Sequence, residues 1–290
     1  MATTQTTALG RVAMSPAVIL LFAWMIVPLV MTLYFSLLRY NLLKPELGGF
    51  VGLQNYYYFL TDPAFATAVW NTLVLVGGVL FISIIGGVLL AILMDQEFYG
   101  RTVVRILIIA PFFVMPTVSA LVWKNMMMNP VYGIFAQISR FLGLPVIDWF
   151  GQVPMLAITI IVAWQWLPFA ALILLTALQS LSQDQLEAAN IDGASALAKF
   201  RYIVLPHLSR AITVVVLMET IFLLSVVAEI LVTTNGGPGT ATTNISFLVY
   251  IQGLLNFDVG AASAGGIIAV ILANIVAFFL VRIVGKNLED

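Results

Sequence analysis

The chain has 290 residues, of which 62% are hydrophobic and only 9% are charged, and its formal net charge is −1. Soluble domains carry about 25% charged residues, so this composition indicates an integral membrane protein. The sequence contains no cysteine and a single histidine, which excludes disulfides, thiolate metal sites and a His-rich metal centre. A chain without a surplus of basic residues is also a poor candidate for nucleic-acid binding.

The first long apolar run covers residues 16–38 and follows a polar stretch that contains Arg11. The apolar region of a cleavable signal peptide is about 7–15 residues long, whereas this run has 23 residues. The sequence therefore predicts that the segment is retained as the first transmembrane helix.

Five further segments are long and apolar enough to cross a bilayer, which requires about 20 residues in a helix. The six predicted spans cover residues 16–38, 69–94, 103–123, 154–178, 208–232 and 259–281. Glycine doublets at 77–78, 86–87 and 265–266 indicate places where helices approach closely. The run Asn-Gly-Gly-Pro-Gly at 235–239 predicts a turn directly after the fifth span.

The distribution of basic residues predicts the orientation of these spans. With the amino terminus inside, the inner segments hold eight of the twelve basic residues, namely Arg11, Arg101, Arg105, Lys199, Arg201, Arg210, Arg282 and Lys286. The outer loops, which are longer, hold Arg39, Lys44, Lys124 and Arg140. The positive-inside rule therefore places both termini in the cytoplasm.

The loop between the fourth and fifth spans is the one sizeable charged segment in the second half of the chain. Ser182 and Gln185 have the spacing of a capping box at a helix start, and Gly193 permits a bend. A second helix is predicted from Ala194 to about residue 202, and Pro206 is then expected to open the fifth transmembrane helix. The pattern predicts an amphipathic helix–bend–helix at the membrane surface, with Leu186, Ala189 and Ile191 apolar and Glu187 and Asp192 polar. A plain interfacial loop has the same composition.

A resemblance gives this loop a role. Its characteristic positions are Glu187-Ala188-Ala189, Asp192-Gly193-Ala194, Phe200, Ile203 and Leu205-Pro206. This pattern resembles the EAA loop of permease subunits in bacterial ABC importers. The stretch from Thr234 to Gly239, followed by Ala241, Thr242 and Tyr250, is similar to a second signature, found in maltose-type sugar permeases. The motifs at 112–117 and 164–168 look most like those of sorbitol and mannitol permeases.

The resemblance implies an all-α membrane protein with the type I importer permease fold, located in the bacterial inner membrane. It implies a cytoplasmic tail at 1–15, one permease domain at 16–285 with a coupling loop at 182–207, and a second tail at 286–290. The implied partners are a paralogous permease, a dimeric ATPase that binds ATP and Mg²⁺, and a periplasmic binding protein that delivers a sugar or polyol. The chain itself would hold no cofactor or metal and would not be an enzyme. The sequence contains no phosphate-binding Gly-x-x-x-x-Gly-Lys motif, in agreement with this division.

Two groups of residues follow as candidate sites. The coupling surface is expected to comprise Glu187, Ala188, Ala189, Asp192, Gly193 and Ala194, with Glu187 as the ion-pair partner of a basic ATPase residue. Polar groups inside spans are costly and mark functional positions, so the candidate substrate pathway comprises Gln165, Trp166, Glu219, Glu229 and Asn274. On one continuous helix Glu219 and Glu229 would lie about 80° apart and could border the same cavity.

Three alternatives stay open at this level. An ion-coupled secondary carrier for a small polar solute would use Glu219 and Glu229 as ion sites, but it leaves the charged loop without a purpose and six spans are few for such a carrier. A membrane scaffold would use the loop only as an anchor for a partner. An ABC permease for a different solute, such as an amino acid or a phosphate ester, would keep the loop and change the pathway, although the scarcity of basic residues within the spans argues against a phosphate ester.

Overall fold

The computed structural model describes residues 4–285, which form a helical protein with one small sheet. The helices are α1 (Thr4–Ser36), α2 (Gln54–Thr61), α3 (Phe65–Asp95), α4 (Arg101–Ile109), α5 (Pro116–Val122), α6 (Ile134–Phe141), α7 (Trp149–Gln152), α8 (Pro154–Gln179), α9 (Gln183–Ile191), α10 (Ala196–Lys199), α11 (Leu205–Leu223), α12 (Ala228–Thr233), α13 (Ile245–Tyr250) and α14 (Val259–Gly285). The strands are β1 (Leu38–Arg39) and β2 (Gly49–Phe50). Short 3₁₀ turns cover Pro45–Leu47 and Ala110–Phe113, and π-helical turns cover Trp123–Met127, Phe200–Val204 and Ile251–Leu255.

The chain divides into two compact units, and the first comprises residues 1–62 and 249–270. In this unit β1 and β2 pair antiparallel, with Leu38 opposite Phe50. The buried Asn55 side chain donates hydrogen bonds to the carbonyl oxygens of Ser36 and Leu38, so the end of α1 is fixed by a polar contact. Gly265 lies against the Phe59 ring, where a Cβ would collide.

The second unit comprises residues 63–248 and 271–290, and its centre is the packing of α3 along α8. Three glycines of α3 make this contact close. A Cβ at Gly78 would lie 2.9 Å from Thr159 Cγ2, one at Gly86 2.7 Å from Leu167 Cδ1, and one at Gly87 3.0 Å from Ala170 Cβ. The predicted contact surface is confirmed at these positions, whereas a Cβ at Gly77 would meet nothing within 4 Å.

Among residues 4–285, five helices are long and apolar enough to span a membrane, and the number is six if a bent pair of helices is one span. The five are Ala13–Ser36, Phe65–Asp95, Pro154–Gln179, Ala196–Leu223 and Val259–Phe279. The predicted first, second, fourth and sixth spans agree with helices of this group to within a few residues, apart from longer helical ends. The predicted carboxy-terminal tail, 286–290, lies outside the described residues.

The predicted third span, 103–123, is not one straight helix. It consists of Arg101–Phe113 and Pro116–Met127, which meet at an angle of 106°. The break falls at Val114 and Met115, which have extended backbone conformations before Pro116. Proline disfavours helical backbone in the residue that precedes it, and Pro116 then serves as the first residue of α5.

The predicted fifth span, 208–232, is wrong at both ends. Pro206 does not open this span, because the helix is continuous from Ala196 to Leu223. A π-helical turn lies directly before the proline, in which the Leu205 N–H donates to the carbonyl of Phe200. The helix then ends at Leu223, and residues 224–227 are not helical. Side chains from a later segment pair with this break, since Asn244 donates to Val226 O at 2.7 Å and Ser246 donates to Leu224 O at 2.5 Å.

The predicted turn at 235–239 is confirmed. Asn235, Gly236 and Gly239 have φ values of 51°, 86° and 59°, and the Gly237–Pro238 peptide is cis. The residues after the turn fold back into the second unit, where Thr242, Thr243 and Asn244 are buried. Asn71 of α3 donates to the carbonyl oxygens of Thr240 and Thr243 at 3.0 and 2.9 Å, which anchors the turn to the centre of the unit.

Candidate functional site

The loop from Gln183 to Val204 forms the predicted helix–bend–helix. α9 ends at Asp192, and Gly193 has a φ of 73°, a conformation that a side chain would strain. The bend is closed by Ala194 N–H donating to Ala189 O at 2.9 Å. Ser182 occupies the amino-terminal cap of α9, as expected, but its side chain makes no capping bond. The side chain that does cap is Ser195, which accepts from Ala198 N at 3.2 Å at the start of α10.

A hydrogen bond joins the two arms of this loop. Lys199 Nζ donates to Asn190 Oδ1 at 2.7 Å. The two residues lie in the last turns of α10 and α9, on opposite sides of the bend at Gly193. The angle between the arms is therefore held by a side-chain contact as well as by the backbone of the bend.

Behind α9 the structure has a cavity of about 660 Å³. Glu187, Leu186 and Asn190 line it from α9, and Asp95 and Lys199 line it from neighbouring elements. The predicted division into an apolar and an acidic face is therefore wrong, because Leu186 and Glu187 border the same cavity. Leu186 and Ile191 are five residues apart and point about 140° away from each other on a helix.

Three large apolar side chains on this loop have no cover within the described part of the chain. Ile191 is 87% exposed, Leu197 is 74% exposed and Tyr202 is 73% exposed. Ala188 and Glu187 are exposed beside them. A surface that combines apolar side chains with a carboxylate, and that lies outside the long apolar spans, suits contact with another protein.

The predicted pathway residue Gln165 lies at the break in the third span. Its side chain is buried, and its Nε2 donates to Val114 O at 2.6 Å. Its Oε1 has no hydrogen-bond partner among residues 4–285. The Gln165 amide therefore binds the backbone at the break through Nε2, and its Oε1 is left as an unpaired acceptor within the described residues.

Trp166 lies in a cluster of four aromatic side chains around this break. Its ring centroid is 5.7 Å from that of Phe112, 5.9 Å from that of Phe169 and 5.1 Å from that of Phe222. Phe222 is 50% exposed, and the other three rings are partly exposed. We call Phe112, Trp166, Phe169 and Phe222 the aromatic cluster. It joins α8, α11 and the first arm of the broken span.

Glu219 lies three residues before Phe222 and is completely buried. The Ser83 hydroxyl of α3 lies beside its carboxyl group, but neither group meets hydrogen-bond geometry. Thr220 Oγ1 is also buried without a partner in the described chain. In this conformation Glu219 belongs to the packing between α3 and α11 rather than to an open cavity.

Glu229 and Asn274 lie on other elements. Glu229 is buried on α12, and the non-helical residues 224–227 separate it from α11. The expected angle of about 80° between Glu219 and Glu229 therefore does not hold, because it assumes one continuous helix. Asn274 is exposed on α14. Of the predicted pathway residues, Gln165 and Trp166 therefore lie at the break in the third span, while Glu229 and Asn274 lie on other elements.

Two residues that shape this region, Phe222 and Lys124, were not identified from the sequence. Phe222 is one of several apolar residues in its helix, and nothing in its spacing distinguishes it from a lipid-facing side chain. In the sequence Lys124 counts only as a basic residue of an outer loop, but its Nζ donates to Val232 O at 2.9 Å and Thr233 O at 2.7 Å. It therefore binds the carboxyl end of α12, where carbonyl groups lack partners within the helix.

These elements have the fold of type I ABC importer permeases, with a broken span that borders the aromatic cluster and a helix–bend–helix between α8 and α11. The described chain has a TM-score of 0.79 to a bacterial ABC transporter that imports the acidic polysaccharide alginate, at 21% identity over 97% of this chain and 96% of that one.

Sequence comparison identifies the family. Residues 83–290 match the binding-protein-dependent transport system inner membrane component, and the chain belongs to this family. It is 34% identical to the trehalose/maltose transport system permease protein MalF of Thermococcus litoralis over 289 residues, covering 97% of this chain and 95% of that protein. It is 36% identical over 251 residues to the probable ABC transporter permease protein y4oQ of Sinorhizobium fredii, covering 86% and 81%. The chain is therefore an inner-membrane component of a transport system rather than an enzyme.

Proposed function

We propose that this chain forms part of the translocation pathway of an ATP-driven importer for a sugar or sugar alcohol, with sorbitol and mannitol as the preferred solutes. The observation that carries the proposal is the aromatic cluster around the break in the third span, where the buried amide oxygen of Gln165 has no hydrogen-bond partner among residues 4–285. The relatives support the solute class, since MalF belongs to a trehalose/maltose system and the similar structure imports alginate. The motifs at 112–117 and 164–168, which resemble polyol permeases, lie at this cluster.

The chemistry of the cluster suits a polyhydroxylated solute. Aromatic faces pack against the C–H groups of such a molecule, and a few oriented polar groups receive its hydroxyls. Trp166 and Phe222 would supply the faces. Gln165 Oε1 is buried and would accept from a solute hydroxyl once the surrounding helices move apart. Glu219, Glu229 and Asn274 are proposed as further pathway residues. Because Glu219 is completely buried, it would reach the solute only after α11 moves relative to α3.

Energy coupling is proposed to run through the loop at 182–207. Its exposed apolar side chains and Glu187 would dock on an ATPase that binds ATP and Mg²⁺. Ala188, Ala189 and Ala194 would keep the docking surface close, Asp192 would end α9, and Gly193 would allow the bend. Closure of the ATPase would then move α9, α10 and α11, which follow one another directly in the chain, and change the accessible side of the pathway.

Two further partners complete the proposed assembly. One is a paralogous permease subunit, for which α1 offers a surface, since none of the apolar window of Ala13–Ser36 is buried within its own chain. The other is a periplasmic binding protein that delivers the solute. With both termini in the cytoplasm, the loops at 39–64, 128–148 and 233–244 would face it.

The proposal is tested by uptake into proteoliposomes that contain this chain with its companion permease, ATPase and binding protein. Radiolabelled sorbitol and mannitol are compared with trehalose and maltose. Uptake of a polyol that requires ATP and all components supports the full proposal. Uptake of the disaccharides alone would support a carbohydrate importer and would reject the preference for polyols. ATP turnover that binding protein stimulates, without uptake of any of these sugars, rejects the solute class.

The coupling role is tested by Glu187→Ala in the same proteoliposomes. We expect at least a tenfold loss of uptake with the complex still assembled, because removal of one partner of an interfacial charge pair costs about 2–5 kcal/mol. The matched control is Asp184→Ala, an exposed acid of α9 that does not line the cavity with Glu187. Equal coupled uptake in both variants would reject the docking role of Glu187.

A further inference from the structure

A second cavity, of about 680 Å³, lies where the carboxyl end of α8 meets the beginning of α11. It is separate from the cavity behind α9, since the two share no lining residue. Its wall changes from polar to apolar along the helices. Ser180, His207, Ser209 and Arg210 line one part, and side chains such as Ile173 and Val214 line another. We call it the α8–α11 cleft.

The charge of the cleft has one sign. Arg210 is the one lysine or arginine among its lining residues, and no aspartate or glutamate is among the residues that border it. Arg210 is exposed, and within residues 4–285 its guanidinium forms neither an ion pair nor a hydrogen bond. A guanidinium presents a planar set of donors that matches phosphate and carboxylate. The cleft therefore offers a free anion-binding group.

The polar wall beside Arg210 is ordered by internal contacts. His207 Nε2 lies 2.9 Å from Ala177 O and 3.1 Å from Ser180 Oγ. These contacts tie the beginning of α11 to the carboxyl end of α8 at the polar part of the cleft. Ser209 also lines the cleft, so its hydroxyl is a second donor in the same wall.

The position of the cleft along the helices corresponds to the edge of the apolar layer. α8 carries no charged residue, and its last turns contain the polar residues Thr176 and Gln179 before Ser180; Thr176 and Ser180 both line the cleft. Ile173 and Ser180 are seven residues apart, which is about 10 Å along a helix. The cleft therefore extends from the polar edge into the apolar layer, over a distance that matches a headgroup and the first part of an acyl chain.

We propose that the α8–α11 cleft binds an anionic phospholipid. Arg210 and Ser209 would hold the phosphate, and the acyl chain would lie along Ile173 and Val214. Basic pockets between transmembrane helices bind anionic headgroups in this way. The change from polar to apolar along the wall favours a lipid over a soluble phosphate compound, which would leave the apolar part unfilled. This inference does not depend on the solute that the importer carries.

The test measures lipid binding to the assembled transporter after delipidation in detergent. Native mass spectrometry with added phosphatidylglycerol or phosphatidylcholine gives the number and affinity of bound lipids. We expect phosphatidylglycerol to bind at least tenfold more tightly than phosphatidylcholine, and Arg210→Gln to remove this preference. Arg201→Gln is the matched control for lipid binding, because it removes an exposed arginine of the same helical stretch that does not line the cleft. We expect it to keep the preference within twofold.

Three outcomes overturn the proposal. They are equal lipid binding in Arg210→Gln and Arg201→Gln, equal binding of the two lipids to the wild-type complex, and displacement of phosphatidylglycerol by millimolar inorganic phosphate. The last would assign the cleft to a soluble anion. If Arg210→Gln fails to assemble, Arg210→Lys and Ser209→Ala replace it. Lysine should retain part of the preference, and the alanine variant should lose about threefold in affinity. Affinities unchanged in both would count against the proposed phosphate contact.

Discussion

At the scale of single residues, Gly87 shows how little space separates α3 from α8. A Cβ built there lies 3.0 Å from Ala170 Cβ, 3.2 Å from Leu174 Cδ1 and 3.3 Å from the backbone nitrogen of Ala171. Two of these atoms belong to rigid groups that cannot turn away. The helix pair is therefore as close as a glycine permits, and its neighbour must shift if any side chain is added.

We therefore expect Gly87→Val to lower the free energy of unfolding by about 1–3 kcal/mol through overpacking. Gly77→Val is the matched control, because it makes the same change in the same helix where a Cβ meets nothing within 4 Å. Thermal unfolding in detergent, followed by tryptophan fluorescence, measures both. Equal midpoints for the two variants would show that the helices can separate without cost.

Lys124 gives a second prediction at this scale. Its ammonium group donates to two carbonyl groups at the end of α12, and hydrogen bonds to charged groups contribute about 1.5–3 kcal/mol. Lys124→Met keeps most of the side-chain length and removes the donors, so we expect a loss of about 2 kcal/mol in unfolding free energy. Chemical or thermal unfolding of the purified complex measures it.

The control for this change is Lys44→Met, since Lys44 is exposed and its side chain forms no hydrogen bond or ion pair in the described chain. Its stability should stay within about 0.5 kcal/mol of the wild type. Lys124→Arg, which retains donors, should recover part of the loss. A Lys124→Met protein as stable as Lys44→Met would mean that the α12 contact contributes nothing.

At the scale of secondary-structure elements, the hinge of interest is the bend between α9 and α10. The hydrogen bond from Lys199 Nζ to Asn190 Oδ1 is one contact across it. Because this bond is exposed to solvent, which weakens a charged interaction, we assign it about 1 kcal/mol, which corresponds to a factor of roughly five in the population of the aligned loop. When α9 and α10 move as one unit, we expect the movement of a docked ATPase to displace α11 further.

We therefore expect Lys199→Met to raise the ATP hydrolysed per solute imported by roughly two- to fivefold, the factor given by about 0.5–1 kcal/mol. The measurement compares ATP turnover with uptake in the same proteoliposomes. Lys199→Arg is the control, because it keeps a donor at this position, and its ratio should stay close to that of the wild type. An unchanged ratio in Lys199→Met would show that the bend at Gly193 holds the arms without the side chain.

At this same scale, the spans could be predicted from the sequence and their interruptions could not. A run of about 20 apolar residues is a local property, and the helices Phe65–Asp95 and Pro154–Gln179 follow from it. The break after Leu223 depends instead on Asn244 and Ser246, which donate to its carbonyl groups from about 20 residues further along the chain. No local pattern contains that information.

Of the candidate site, one part could be predicted from the sequence and another part could not. The helix–bend–helix could be predicted because the glycine and the flanking helix signals are local, and Gly193 has the expected positive φ. The aromatic cluster combines Phe112, Trp166 and Phe222 from three separate segments. Its composition depends on how α8 and α11 pack, which the sequence pattern does not specify. Glu219 was singled out correctly as a polar residue in a span, but its burial against α3 required the structure.

At the scale of the whole molecule, the number of membrane crossings decides the topology, and it depends on the bent pair Arg101–Phe113 and Pro116–Met127. If the pair crosses the membrane as one broken span, the chain crosses six times and both termini lie on one side. If the pair enters and returns, five crossings place the termini on opposite sides. The two arrangements differ in where they place the loops on either side of the pair. If the pair crosses, the α3–α4 loop and the loop before α8 lie on opposite sides of the membrane; if it returns, both loops lie on the same side.

We expect six crossings, in agreement with the greater number of basic residues in the predicted inner loops. The chain contains no cysteine, so single-cysteine variants report cleanly. Tyr99→Cys, Tyr132→Cys and Ile191→Cys replace side chains that are 105%, 60% and 87% exposed. A membrane-impermeant thiol reagent applied to spheroplasts should label only position 132, and in inverted vesicles only positions 99 and 191. Labelling of 99 and 132 from the same side, with 191 on the other, would show that the bent pair returns without crossing.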